Sequence, residues 1–546
     1  MRTVIKNTFR GTILLASFIL LHSCVKETFD VNKLNTSTEF TPGAASPVGY
    51  LKLDLHSLVK GSPNGSLRPD ANGLLTFYYS SNLYSVPGNE FPVFRQVHYE
   101  GTFINDTPQS LNSGAVFKKT DTIYLPGLTE AGSDQIINRV DSIKIIMKVI
   151  SKGQNNTTGK ITMTFPTLKK DNSKFISEFG LTGNKTYDNN DAIYNLGLNS
   201  EGSNHNLIQV VLQTKDTVRQ DIIPGDTISS FSIDFNIISW EVVYGYLGQH
   251  DIDLGQNYFV VDFYQPIPAG SFHFEDPRLK IITENSYGIP MDVFFNTISF
   301  ATRYERNRQL TGSGVPDEQN PWPIAYPSAD KPGTLVKDSI EINNNNSNLA
   351  DILDQVPERM TFSAKASTNP DGDTVENSVT PESKASAKVN LVLPLFGYTR
   401  NLAMADTFAF QLDDFNLYRQ KEINQVIFKF NFKNTFPAAI RTQLYFADKY
   451  MRVMDSVFEE PYTIPGAPPV DTKTDNPPAV EDEVNIPFSA DKITMLRKAS
   501  YIIANGHVST TGSEENPPRN VKFFDNNLLT VHMGLIFDLK VEMNQF

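Results

Sequence analysis

The sequence contains very little cysteine. Only one of its 546 residues is a cysteine, Cys24, so neither a disulfide framework nor a zinc site built from several thiolates can form within the chain. Basic residues are also in the minority, because 48 Lys and Arg stand against 61 Asp and Glu, and the net charge is −13. Nucleic-acid binding relies on clustered basic side chains. This composition therefore argues against a nucleic-acid partner.

The common motifs of catalysis and cofactor binding are missing as well. The chain has no Gly-x-Ser-x-Gly nucleophile motif and no phosphate loop of the Gly-x-x-x-x-Gly-Lys type. Its eight histidines include no His-x-His or His-x-x-x-His pair, the spacings that place two metal ligands on one element. Carboxylates are plentiful, but a sequence does not give the separation that an acid and base pair requires. We therefore predict a protein that is not an enzyme, with no cofactor and no metal site. A hydrolase with an unrecognised carboxylate site is the alternative.

Short runs of alternating apolar and polar residues dominate the chain after residue 45. They are rich in Val, Ile, Phe, Tyr and Thr, which favour strands, and clusters of Asn, Asp, Gly and Pro separate them as turns. Examples are Leu75–Ser80, Ser142–Val149, Ser230–Ile238, Ala387–Leu393 and Gln425–Phe432. Helical patterns are few, and the clearest are Asn348–Val356 and Ser489–Asn505. The pattern predicts an all-β fold of tandem antiparallel β-sandwich domains with long loops and one or two short helices.

Residues 306–335 differ in composition from their surroundings. The segment has an excess of Gly, Pro, Asn and Asp and includes Pro321-Trp322-Pro323. Such composition is typical of exposed segments between domains. We therefore predict an N-terminal β-sandwich region at residues 46–305, a linker at residues 306–335 and a C-terminal β-sandwich region at residues 336–546.

The first 23 residues have the parts of an export signal. Arg2, Lys6 and Arg10 form a cationic start, and Gly11–Leu21 is an apolar stretch too short to cross a bilayer core of about 30 Å as a helix. The lone cysteine follows in the order Leu21-His22-Ser23-Cys24. This ending resembles the lipobox of bacterial lipoproteins. The resemblance implies that residues 1–23 are a cleaved signal peptide, that Cys24 carries acyl chains such as palmitate, and that residues 24–45 are a lipidated tether.

The residues after Cys24 indicate a destination. Lys26 and Glu27 resemble the short export signal with which lipoproteins of the Bacteroidetes phylum reach the outer face of their outer membrane. With Ala45–Gly49 and Asn434–Pro437, the chain is similar to a class of large Bacteroidetes envelope lipoproteins of unassigned function. The resemblance implies a lipid-anchored outer-membrane protein that faces the cell exterior, with the periplasmic leaflet as the alternative. It implies no activity.

Two segments of the sequence resemble each other. Leu279–Phe294 and Ile427–Leu444 both have a strand pattern, then Asn followed by Ser or Thr and an aromatic residue, then Pro and a second strand pattern. Similar turn chemistry in two unrelated hairpins would explain the likeness, and so would a duplication. The pattern is also similar to the Asn-Pro strand corner of late-embryogenesis-abundant-type β-sandwiches, which are not catalytic.

Asp followed by Ser or Thr and then Ile or Val recurs along the chain. The pattern is similar to the O-glycosylation acceptor of exported Bacteroidetes proteins. It implies modification of the hydroxyl groups of Thr122, Ser142, Thr217, Thr227, Ser339, Thr374 and Ser456. A structural explanation fits equally well, because Asp ends turns and β-branched residues open strands.

Recognition by such a protein would rest on exposed aromatic side chains, which bury a large area for little loss of entropy. Trp322 is our candidate ligand-binding residue, because Pro321 and Pro323 stiffen its backbone and exclude a central strand. Packing of Trp322 over a domain edge is the alternative. We expect a non-catalytic binding or assembly subunit at the outer membrane, attached through the lipid on Cys24 and in contact with an envelope protein complex or a glycan. The second interpretation is a glycan-binding surface lipoprotein of a polysaccharide-uptake system.

Overall fold

The structure is a computed structural model and is dominated by β-strands. It describes residues 43–55, 65–86, 94–125, 134–154, 158–188, 193–198, 206–261, 269–409, 423–489 and 498–539, with a few single residues between them. Within these ranges one α-helix has defined bounds, α1 (Leu349–Leu353). The predicted all-β class with antiparallel β-sandwich domains is confirmed.

The strands alternate inward apolar and outward polar residues, as half-buried strands do. Before residue 250 they are β1 (Gly43–Leu53), β2 (Gly65–Pro69), β3 (Leu75–Val86), β4 (Val97–Ile104), β5 (Val116–Leu125), β6 (Ile136–Gly153), β7 (Thr158–Lys170), β8 (Ser173–Gly180), β9 (Gly183–Asp188), β10 (Tyr194–Gly197), β11 (Ile208–Thr217), β12 (Thr227–Ser239) and β13 (Val242–Tyr246). Up to residue 400 they are β14 (Asp251–Val260), β15 (Phe272–Phe274), β16 (Arg278–Asn285), β17 (Met291–Thr302), β18 (Arg308–Gln309), β19 (Trp322–Ile324), β20 (Val336–Asn343), β21 (Pro357–Thr368), β22 (Asn377–Val379), β23 (Ala385–Pro394) and β24 (Phe396–Thr399). The remainder are β25 (Leu402–Ala409), β26 (Ile423–Asn434), β27 (Ala438–Ala447), β28 (Val453–Ser456), β29 (Tyr462–Ile464), β30 (Val480–Phe488), β31 (Tyr501–Thr510), β32 (Val521–Lys522) and β33 (Leu529–Leu539).

The first sandwich is formed by consecutive strands, β4 to β12. One sheet has the order β4-β12-β6-β9, and the other has β5-β11-β7 with β8 beside β7, all antiparallel. β10 pairs with both β6 and β7 and makes the two sheets continuous. β6 passes from one sheet to the other near Ser142, whose φ is 54°, so its two halves pair with β12 and with β13. Phe165 of β7 and Phe235 of β12 meet across the core, with ring centroids 6.4 Å apart.

The second and third sandwiches use strands from distant parts of the chain. In the second, the sheets are β3-β23-β16-β20, with the short β2 beyond β3, and β14-β21-β17-β18, again antiparallel. In the third, they are β1-β33-β26-β30 and β25-β31-β27-β28, with the same direction of pairing. A small sheet, β15-β24-β32, lies where these two sandwiches meet. Phe272 and Phe523 pack there, with ring centroids 6.1 Å apart.

All three sandwiches share one topology. Counted along the chain, the first, eighth, third and sixth main strands of each sandwich form one sheet, and the second, seventh, fourth and fifth form the other. The sandwiches are also nested. β1 belongs to the third sandwich and β3 to the second, and both precede the first sandwich, whereas β14 to β23 and β25 to β33 complete the second and third afterwards.

The expected linker at residues 306–335 does not divide the strands into two sets. β16 pairs with β20 and β23, and β1 pairs with β33, so sheets cross the boundary between the regions 46–305 and 336–546. β18 and β19 lie inside the segment and pair with β17. The composition of this segment signals backbone that leaves regular strands, which occurs within a sandwich as well as between domains.

The two similar sequence segments occupy equivalent corners. The amide oxygen Oδ1 of Asn285 accepts a hydrogen bond from the backbone N–H of Tyr287 at 3.0 Å, and Oδ1 of Asn434 accepts one from Phe436 at 2.9 Å. Each corner carries the chain between the third and fourth strands of its sandwich, which lie in different sheets. The hairpin interpretation is therefore wrong, and the shared topology favours the duplication.

The helical patterns have different outcomes. α1 lies within the predicted segment Asn348–Val356, and Leu349, Ile352 and Leu353 are buried. The second predicted helix, Ser489–Asn505, is wrong in its last part, because Tyr501 begins β31. That strand pairs with both β25 and β27, and pairing in a sheet outweighs weak local helix preference.

A buried carboxyl group lies in the first sandwich. Asp216 of β11 is 1% exposed, and its Oδ2 accepts a hydrogen bond from the Thr214 hydroxyl at 2.6 Å. Its Oδ1 has no hydrogen-bond partner among the described residues. A side chain at Gly159, opposite on β7, would overlap this carboxyl group. Burial raises the pKa of Asp216 from 3.8 to about 6, against the opposing effect of the Thr214 hydrogen bond.

We predict that the stability of the first sandwich falls as the pH rises from about 4 to about 6. In that window the folded state keeps the Asp216 proton, which the unfolded chain releases, so ionisation costs up to about 3 kcal/mol. Asp216→Asn should remove this decline and should be more stable than the wild type at pH 7.5. Hydrogen exchange of the β7 and β11 amides at pH 4.5, 6 and 7.5 would measure it. An identical pH dependence in the variant would contradict the expectation.

Candidate ligand-binding site

A cavity of about 90 Å³ lies between the two sheets of the second sandwich. Strands β3, β16 and β23 contribute to one wall, and β14, β17, β19 and β21 contribute to the other. A cavity needs a volume of roughly 10–15 Å³ to hold one water molecule. The space therefore exceeds a packing defect and accommodates a small apolar group.

Small side chains produce the cavity. Ala364 and Ala366 on β21 and Ala385 and Ala387 on β23 all line it. The equivalent strand of the first sandwich, β11, buries three larger side chains, Ile208, Val210 and Leu212. Protein cores are otherwise close-packed, so alanines at neighbouring inward positions of two facing strands leave space that no other side chain fills.

The rest of the wall is aromatic and aliphatic. Phe295, Trp322 and Phe362 line the cavity together with Ile281 and Met291, and all five are buried. Such walls leave water few hydrogen-bonding partners, and apolar cavities of this kind stay dry and accept apolar guests.

Trp322 is not the exposed loop residue that we expected. It is 8% exposed, and it belongs to the short outer strand β19, where it pairs with Val293. The flanking prolines exclude a central strand, but an outer strand tolerates proline because one side has no partner that requires the N–H group. Trp322 therefore faces the cavity from inside the sandwich.

One polar group in the cavity wall lacks a partner. Thr283 of β16 is 5% exposed, and its Oγ1 has no hydrogen-bond partner among the described residues. Leaving a buried hydroxyl group unpaired costs about 1–3 kcal/mol. A guest that carries a hydrogen-bonding group would satisfy it.

Other polar side chains beside the cavity are already engaged. The Thr368 hydroxyl donates to the carbonyl of Gly248 at 3.1 Å and accepts from the backbone N–H of His250 at 2.9 Å. Glu284 is paired with Lys337 at 2.5 Å, and this contact lowers the pKa of the Glu284 carboxyl. Thr283 thus differs from these neighbours in having a hydrogen bond to give.

None of the seven predicted glycosylation residues lines the cavity. Cys24, Lys26 and Glu27 lie outside the described residues. Of the seven hydroxyl residues, Thr122, Thr217, Ser339 and Thr374 are exposed, and Ser142, Thr227 and Ser456 are half-buried. Of the seven, Thr227 alone begins a strand, and the others lie within a strand, at its end or outside any strand. The strand-opening explanation therefore fits Thr227 only, and modification stays a prediction.

Three further observations on the described residues bear on function. These residues include no group of three or more His, Cys, Asp or Glu side chains placed to hold a metal ion. His273 forms an ion pair with Asp354, from its Nδ1 to Oδ2 at 2.8 Å, which raises the pKa of the histidine. This pair joins β15 to the residue that follows α1 and is structural in character. None of the helices in the described ranges is long and apolar enough to cross a membrane.

Comparison with known proteins gives no family. No protein-family model matches the chain, and no curated protein matches it. A "putative secreted protein" from Parabacteroides distasonis matches 55% of this chain and 89% of its own, at 10% identity and a TM-score of 0.30. Infectious bursal disease virus, Gx strain, matches 89% of this chain and 84% of its own, at 9% identity and a TM-score of 0.14. The PBSX exported protein XepA matches 54% and 86%, at 6% identity and a TM-score of 0.12. Likenesses this weak do not establish a shared fold.

Sequence reasoning identified Trp322 but missed Thr283 and the four alanines. A signal was present, because Ala364-Lys365-Ala366 and Ala385-Ser386-Ala387 place alanines at alternate strand positions. Alternation predicts which face they share. It does not reveal that the two alanine pairs line one space, since that depends on how distant strands pack.

We predict that Thr283→Val leaves the free energy of unfolding of the second sandwich unchanged or raises it by about 1 kcal/mol. Valine has nearly the same shape and removes an unpaired buried hydroxyl group. Trp322 fluorescence during urea unfolding, in a Trp240→Phe background, would report it, because the chain has two tryptophans. Thr368→Val is the matched control and should lose about 1–2 kcal/mol, because its hydroxyl group is bonded. A comparable loss for Thr283→Val would show that its hydroxyl group already has a partner.

Proposed function

We propose that this chain is a non-catalytic, lipid-anchored binding protein of the bacterial cell envelope, whose ligand site is the cavity of the second sandwich. The observation that carries the proposal is an apolar cavity with one unpartnered hydroxyl group, Thr283 Oγ1. The ligand chemistry that fits is an apolar group with a single hydrogen-bonding substituent. Binding sites of small molecules are commonly concave and apolar, with few polar groups that fix orientation.

The energetics support a binding role for the cavity. An unfilled cavity costs about 24 cal/mol per Å³, so 90 Å³ corresponds to about 2 kcal/mol. The unpaired Thr283 hydroxyl group adds to this cost. A guest that fills the space and forms a hydrogen bond to Thr283 removes both the cost of the cavity and the cost of the unpaired hydroxyl group. This gives the guest a source of affinity without any change in the fold.

The anchor is the second part of the proposal. Cys24 follows an apolar stretch and is the sole cysteine, and several acyl chains on one residue hold a protein stably on a membrane. Lys26 and Glu27 favour the outer face of the outer membrane, and the periplasmic leaflet is the alternative. A binding or assembly subunit of an envelope protein complex is the corresponding cellular role.

The burial of Trp322 weakens the glycan-binding alternative, which rested on this residue. Sugars stack on exposed aromatic faces, and Trp322 is 8% exposed. The exposed aromatic residues of the described chain are tyrosines, such as Tyr258 and Tyr304. No observation gathers them into one platform, so the cavity remains the favoured site.

We predict that 4-bromophenol quenches Trp322 fluorescence saturably, because its apolar ring fits the cavity and its bromine quenches a neighbouring indole. Ala364→Leu should weaken this binding at least tenfold by filling the space, and it should raise the melting temperature. Lys365→Leu is the matched control, since Lys365 is exposed on the same strand, and it should bind like the wild type.

The hydroxyl group of the probe tests the role of Thr283. Wild-type protein should prefer 4-bromophenol to bromobenzene, and Thr283→Val should lose this preference while still binding bromobenzene. Saturable quenching that Ala364→Leu leaves unchanged would place the ligand elsewhere and would overturn the proposed site. Quenching that does not saturate would show that the cavity takes no guest.

A further inference from the structure

Both ends of the described chain lie at one end of the third sandwich. Gly43, where β1 begins, pairs with Asp538, and Ile423, where β26 begins, pairs with Leu539 at the end of β33. We call this the open end. The chain from Cys24 therefore enters the sandwich at the open end.

A short turn between β27 and β28 lies at the same end. β26 runs from the open end to the corner at Asn434, and β27 returns in the other sheet until Ala447 pairs with Tyr501. The opposite end of the sandwich is occupied by the second sandwich. There the backbone N–H of Leu75 donates to Phe523 at 2.9 Å, and that of Phe523 donates to Leu395 at 3.0 Å.

The turn presents large apolar side chains to solvent. Tyr450 is 66% exposed, Met451 47% and Val453 57%. The turn is preorganised, because Oδ1 of Asp448 accepts hydrogen bonds from the backbone N–H groups of Tyr450 at 2.9 Å and Arg452 at 3.0 Å. Met451 adopts a φ of 64°, a conformation that favours glycine. Neighbouring exposed apolar side chains on a fixed turn mark a contact surface.

Basic side chains surround these apolar groups. Lys449 Nζ lies 4.9 Å from the ring centroid of Tyr450, and the Arg452 guanidinium lies 5.2 Å from it. Lys498 is also exposed. It lies close to the turn, because the backbone N–H of Ser500, two residues later, donates a hydrogen bond to the carbonyl of Ala447 at 2.8 Å. Arg452 is paired with Asp448, from Nη2 to Oδ2 at 2.6 Å. Lys449 and Lys498 therefore remain as the cations of this cluster that no carboxylate of the described residues pairs with.

We propose that the open end of the third sandwich contacts the bilayer surface, with Tyr450 and Met451 among the lipid headgroups and Lys449 and Lys498 near their phosphates. Tyrosine favours the membrane interface, and basic residues are attracted to anionic lipids. The inference rests on the proposed lipid anchor at Cys24. Eighteen residues separate Cys24 from Gly43, and they span at most about 60 Å, which keeps the open end within that distance of the membrane.

The test uses lipidated full-length protein in vesicles of phosphatidylethanolamine and phosphatidylglycerol. Because Cys24 is the sole cysteine and is acylated, Tyr450→Cys provides a single thiol for an environment-sensitive fluorophore. Tyr304→Cys is the matched control, since Tyr304 is 70% exposed and lies in the equivalent turn of the second sandwich. Lipids spin-labelled at the headgroup should quench the fluorophore at position 450 at least twofold more than at position 304. Replacing Met451 and Val453 by serine should reduce the quenching at 450.

The outcomes separate the two proposals. Vesicle-bound protein with equal quenching at positions 450 and 304, or with more at 304, would overturn the membrane contact and leave the anchor intact. Cys24→Ala should release the protein from vesicles in flotation. If the wild type also fails to float with vesicles, the anchor fails, and the membrane contact fails with it.

Discussion

The second and third sandwiches each contain one strand that comes from a distant part of the sequence. β1 pairs along its length with β33, from Gly43 opposite Asp538 to Leu53 opposite Leu529, and β3 pairs in the same way with β23. Without them, β33 and β23 would become unpaired outer strands with exposed backbone groups. The entropy cost of closing such long loops grows only with the logarithm of their length. Whole sandwiches can therefore be inserted between paired strands.

The three sandwiches share one topology but differ in what their side chains do. The third sandwich contains both ends of the described chain and exposes Tyr450 and Met451 at its open end. The second contains the cavity, because alanines replace larger core residues. The first fills its core with larger side chains, such as Ile208, Val210 and Leu212 of β11, and it buries Asp216. The shared topology provides the same framework three times, and single side chains at equivalent positions make the copies differ.

Local chemistry made the strands predictable from sequence, because alternation of apolar and polar residues reflects burial on one face. Leu75–Ser80 and Ser230–Ile238 lie within β3 and β12 for this reason. Nesting was not predictable, since nothing in the sequence of β1 identifies a partner more than 400 residues away. The candidate ligand-binding site was likewise only partly predictable from the sequence. Trp322 was identified as a binding candidate, but its burial, and the proximity of Thr283 to two pairs of alanines, depend on strands that meet only in the folded chain.

The most direct test of the nested architecture is hydrogen exchange in a soluble chain that begins at residue 54 and so lacks β1. We predict that amides of β33 and β26 exchange at least tenfold faster than in a chain that begins at residue 43, because the third sandwich loses its outer strand. Amides of β6, β7 and β11 should keep their protection. Unchanged protection of β33, or loss of protection in the first sandwich instead, would contradict the account and would favour a separate N-terminal unit at residues 46–305.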